Sequence, residues 1–145
     1  MANTYSTLKA SILAKLQGIS SIQEVTDNPA LNFNGYPPAI IIPSEGESDW
    51  ETNAEDRRIY SFDVLIYEET KKQGTSQAID ILMETVDDVL DAFAEDKGLT
   101  GISMPANKIL LTVEPVHAGW GDVPDKELIA AIVKIRISVS VNSSD

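Results

Sequence analysis

His117, the chain's one histidine, stands beside "AGWG". A lone imidazole does chemistry only with an acid, a nucleophile or co-ligands around it, and no local pattern supplies them. Cysteine is absent, which removes disulfides, thiolate catalysis and cysteine-ligated zinc. Carboxylates are abundant: 23 acidic against 11 basic residues give a formal net charge of −12. Asp80, Glu84, Asp87, Asp91 and Glu95 recur at three- and four-residue steps, so on a helix they share one stripe. Like charges at that spacing repel by a few tenths of a kcal/mol per pair, ~0.2–0.5. The stripe suits a solvated outer face, a surface toward a basic partner, or the wall of a conduit. Asp87 and Asp88 point in different directions on a helix and do not pair around a metal. The acidic stretch "SEGESDWETNAED" lacks the ligand spacing and central glycine of a calcium loop. No phosphate loop, dinucleotide fingerprint, nucleophile elbow or zinc spacing is present. The expectation is a protein without catalytic residues, metal or cofactor.

Trp50 and Trp120 stand in the two stretches that read as hairpin loops. A tryptophan in a polar loop either folds back on the core or anchors an interface. The charge argues against a grip on nucleic acid, since affinity there comes from neutralising phosphates with lysine and arginine. No apolar run approaches the ~20 residues of a membrane span, and "MANTYSTLKA" has no signal-peptide pattern, so the chain is expected in the cytoplasm where it is made.

The elements that position these residues read clearly. Tyr5, Leu8, Ile12, Leu16 and Ile19 mark an amphipathic helix over Thr4 to Leu16, with Gly18 as its stop. Ile22 to Val25 suits a short strand, and "PPAIIIP" a buried one over Ala39 to Ile42. Arg57 to Tyr67 alternates as a strand and closes a hairpin around the acidic loop. A second helix spans Thr75 to Glu95, its buried stripe Ile79, Leu82, Val86, Val89, Leu90 and Phe93, with Gly98 as its cap. Lys108 to Val116 and Glu127 to Val141 form a second hairpin around "HAGWGDVPDK". The whole predicts one α+β domain over 1–145: an antiparallel, possibly mixed, sheet of four to five strands carrying two helices, in the order α-(β)-β-β-α-β-β.

The last strand poses a problem. Its fifteen residues span roughly 50 Å, whereas a compact chain of this size is about 38 Å across. Every second residue from Ile129 is apolar, and the alternate set stays apolar as far as Ile132. Either the strand bends, or its end meets another chain. On the second reading Ile137 and Val139 contact a neighbour, and Lys134 and Arg136 pair with a neighbour's carboxylates.

In its order of elements the chain resembles the tail terminator proteins of long-tailed bacteriophages. The likeness runs through the opening helix, "GYPPAIIIP", "RRIYSFDVLIY", the acidic helix "AIDILMETVDDVLDAF" and the closing strand "LIAAIVKIRISVSV". That resemblance implies a homo-oligomeric, six-fold ring in the virion, assembled in the host cytoplasm. Such a ring caps the head-proximal end of the tail tube and stops its polymerisation. Its implied partners are the major tail tube protein, neck or connector proteins, and double-stranded DNA that passes without specific binding; no membrane is involved. A neck head-completion or connector protein shares much of the pattern. A small α+β ligand-binding regulatory domain is the reading from another class.

Overall fold

A computed structural model describes residues 4–27, 35–44, 47–50, 55–70, 74–95, 104, 108–123 and 127–142. Two helices, α1 (Thr4–Gln17) and α2 (Thr75–Glu95), accompany six strands: β1 (Glu24–Thr26), β2 (Pro38–Pro43), β3 (Glu47–Trp50), β4 (Glu55–Glu69), β5 (Lys108–Val123) and β6 (Leu128–Asn142). The sheet runs β1-β2-β4-β6-β5, and β3 pairs with β4 beside this path. Only β1 and β2 are parallel neighbours, so the sheet is mixed and the α+β expectation holds.

β6 does not leave its subunit. All fifteen of its residues pair with Glu55–Glu69 of β4, and its other edge pairs with β5. The strand is long because both neighbours are equally long, and the sheet is an elongated slab. Since β4 and β5 are each antiparallel to β6, they are parallel to one another, joined through α2 with β6 inserted between. β5 absorbs one extra residue at each of two irregularities, between Leu110 and Thr112 and between His117 and Gly119, which bend and twist a strand locally.

Both helices cover one face. Leu8, Ile12 and Leu16 of α1 and Ala78, Leu82, Val86, Val89 and Phe93 of α2 pack on Ala39 and Ile41, on Tyr60 to Ile66 at alternate positions, and on the odd-numbered residues of β6. Burying each such large side chain stabilises by ~1.5–3 kcal/mol. Two expectations change here. Ala78, not Ile79, opens the buried stripe of α2, because Ile79 lies one step around the helix and is 40% exposed. Ile137 and Val139 are fully buried, at 0% exposure, beneath the chain's own helix layer. They are core residues, and their side chains have no surface to offer a neighbour.

The ends of α2 and β6 are tied locally. Gly74 takes a left-handed φ of 82°, which glycine adopts without a Cβ penalty, and its carbonyl accepts from the Ala78 N–H at 3.2 Å to open α2. Glu127 is also left-handed, at φ 54°, and its carbonyl accepts from both the N–H (2.9 Å) and the hydroxyl (3.1 Å) of Thr70. The Ser21 hydroxyl donates to Asp88 at 2.7 Å, fastening the end of the α1 segment to α2. Lys9 donates to Asp27 at 3.1 Å; that hydrogen bond and charge hold the Asp27 carboxyl below its ordinary range. The expected cap at Gly98 lies outside the described residues.

The helix-free face explains why β6 is apolar on both sides at its start. Ile40, Tyr67, Leu128 and Ala130 form a second small core with Tyr36, Ile42 and Leu65 against it. Burial raises the Tyr67 phenol; Tyr36 is raised by burial and then by the carboxylates of Glu69, Glu68 and Glu24. Tyrosine ordinarily ionises near pH 10. With the folded values above that, this stabilising contribution is complete below about pH 10 and is lost as the pH rises through the raised values. Urea midpoints should therefore fall above about pH 10, and the Tyr36→Phe/Tyr67→Phe variant should show a flatter alkaline limb.

Candidate functional site

The long strands bring together one set of residues with no internal task. At the β5 end that follows Pro115, Trp120 pairs in register with Ala131 and Asp122 with Ile129, so both share the face that carries the helices. α2 begins beside them, at Thr75. Between them lies a groove of about 850 Å³ lined by Thr75, Ile79, Met83, Trp120, Asp122 and Glu127, with Ile129 at its base. Trp120 is 51% exposed, Met83 46% and Ile79 40%: three of the five exposed large hydrophobics among the described residues line this one groove. The indole is not loose. Its ring packs on His117 with centroids 4.5 Å apart at 59°, and His117 Nε2 lies 3.1 Å from the Gly119 carbonyl oxygen.

Trp120 and His117 were expected in a loop; they belong to β5, which runs on to Val123. Trp50 is the last residue of β3, opposite Asp56 in the ladder, and its side chain lies outside the described residues. The two tryptophans therefore sit on separate strands of different hairpins.

Lys134 and Arg136 lie on the helix-free face. Lys134 donates to the Ser44 hydroxyl at 3.2 Å and stands 4.0 Å from Asp63, its ladder partner. A half-exposed pair of this kind is worth about 0–1 kcal/mol. Arg136 stands between Ser61 and Glu114 in the two ladders. The carboxylate expected from a neighbour is thus supplied to Lys134 within its own chain.

Asp80, Glu84, Asp87 and Asp91 are exposed on the outer face of α2, as a stripe; the side chain of Glu95 lies outside the described residues. Among the described residues no group of three His, Asp or Glu side chains is gathered as for a metal ion, and no helix is long and apolar enough to cross a membrane. What this arrangement offers is a surface for contact: an apolar groove at one corner, a carboxylate stripe on the outer face of the same helix, and behind them a sheet face that is apolar near Leu128 and polar from Lys134 on.

No protein-family model and no curated protein matches the chain. Among solved structures it is similar to a chain of the "Virion of native gene transfer agent (GTA) particle", with a TM-score of 0.54 and 15% identity, over 94% of this chain and 90% of that one.

Proposed function

We propose that this chain is a structural component of a phage-like virion, and within it a tail terminator: a ring at the head-proximal end of the tail tube that stops tube growth and receives the head. The observation that carries the reading is the likeness in fold to a virion-particle chain over nearly the full length of both. The finer assignment draws on the order of elements set out above. Exposed carboxylates on α2 and a net charge of −12 suit a surface past which DNA slides without adhering. The role asks for no catalytic group. Its partners would be five further copies, the tail tube protein and the neck proteins.

The test is disruption of the gene in a strain that produces the particles, followed by electron microscopy of the lysate. A terminator's loss leaves tails of uncontrolled length with no heads attached, and a gold-labelled copy restores joining and marks the junction. Normal tails beside unjoined, leaking heads would assign the chain to the neck instead. Particles of unchanged form and infectivity would overturn the virion reading.

A further inference from the structure

The groove beside Trp120 is more specific than a generic sticky surface. We propose that it docks an extended segment of a partner protein, one carrying a bulky apolar side chain flanked by lysine or arginine.

Three features argue for that occupant. The first is the clustering of Ile79, Met83 and Trp120, since isolated surface hydrophobics are ordinary but a contiguous set around a cleft marks a contact site. The second is charge. Segment 70–95 holds six acidic residues and two lysines, and segment 112–130 holds four acidic residues and one lysine. The two segments that build the groove thus carry −7 of the chain's −12. Of their acidic residues, Asp122 and Glu127 line the groove, and Asp80 and Glu84 are exposed on the adjoining turns of α2. A two-fold pairing of this face with itself would oppose these carboxylates to their own copies, whereas a basic segment gains from the field. The third is backbone geometry. β5 ends the sheet, so along its outer edge the N–H and carbonyl groups have no ladder partner strand among the described residues. Pro115 interrupts that edge, but Val116 to Asp122 beyond it is free of proline, with Val116 47% exposed on the opposite face. A Cβ added at Gly119 or Gly121 would meet nothing within 4 Å, so the helix-free side of this stretch is uncovered. Trp120, Gly121 and Asp122 belong both to this edge and to the groove. A strand paired along the edge can therefore lower one side chain into the groove, the combination by which sheet edges recognise peptides. The groove and its sheet edge are the same whether or not the chain works in a virion.

The probe is a synthetic, dye-labelled nonapeptide with a central phenylalanine, alternating valine and threonine, and two lysines at each end. Its controls carry glutamates for the lysines or alanine for the phenylalanine. Anisotropy titrations should give saturable binding of the lysine peptide, weakened at least about tenfold in either control and weakened by added salt. Amide shifts should be confined to Val116–Asp122 and the first turns of α2, with Trp120 emission altered in a Trp50→Phe background. Trp120→Ala and Met83→Glu each remove part of the groove, and each should weaken binding about tenfold or more. Because Met83 is exposed, that variant keeps the test valid if Trp120→Ala fails to fold. Equal affinity for lysine and glutamate peptides, shifts centred elsewhere, or no saturable binding by about 1 mM would overturn the proposal. So would a Trp120-dependent dimer in sedimentation that excludes the peptide, which would give the groove to a second copy.

Discussion

Ile137→Asp is expected to leave no folded protein, while Ser138→Asp, its immediate neighbour, should shift stability by no more than about 0.5 kcal/mol. Ile137 is fully buried at the centre of the sheet, paired with Tyr60 on one side and Val113 on the other, under the helix layer. A carboxylate there loses its water and finds no cation, at a cost of several kcal/mol comparable with the ~5–15 kcal/mol that holds a whole domain. Ile137→Ala, which leaves a cavity without a charge, should cost ~2–5 kcal/mol and give a measurable urea curve. Ser138 lies on the helix-free face and is only half-buried. Circular dichroism and urea titration of the three variants separate the readings. A folded Ile137→Asp monomer defective only in assembly would restore the interface role that burial has taken from this residue.

Removal of Ser138 to Asp145 should be nearly as damaging. The cut takes Val139 and Val141 out of the core, each worth ~1.5–3 kcal/mol of burial. It also strips Glu55–Ile59 of β4 and Lys108–Thr112 of β5 of the strand between them. Backbone groups of a central ladder then face water or go unpaired, and the two flanking strands lose their register. The expected product is insoluble or unfolded at 37 °C, read by soluble yield and near-ultraviolet dichroism. A truncated chain with wild-type melting behaviour would mean that the end of β6 is dispensable to the subunit.

These two results bear on what the amino-acid pattern conveyed. The periodicity of α2 located Thr75–Glu95 to the residue, because a 3.6-residue stripe sustained over 21 residues is hard to mistake. Alternation places β6 within a residue of its bounds at each end. One partner, β5, is legible as the other arm of the second hairpin; β4 is not, because alternation says which side chains share a face and is silent on what lies beside the strand. Excess length therefore suggested a neighbour subunit, when the true neighbours were two equally long strands of the same chain. The stretch from His117 to Val123 reads as loop for a local reason: Gly119 and Gly121 before Pro124 are strong turn signals, and the pairing with β6 that overrides them is set by tertiary structure. Ile79 reads as core for the opposite reason. It fits the apolar stripe, and only the three-dimensional arrangement shows the sheet covering Ala78 and leaving Ile79 to the groove.

The irregularity between His117 and Gly119 has an inherited side. Had β5 kept regular alternation after His117, position 119 would have stayed on the helix side and the indole of residue 120 would have pointed away from α2. One surplus residue reverses that parity. An in-frame loss of the Ala118 codon would remove that surplus and let Gly119 follow His117 in regular alternation, leaving Trp120 opposite Ala131 on the helix side; descendants of this chain can therefore lose the irregularity in one genetic step and keep the indole where it is.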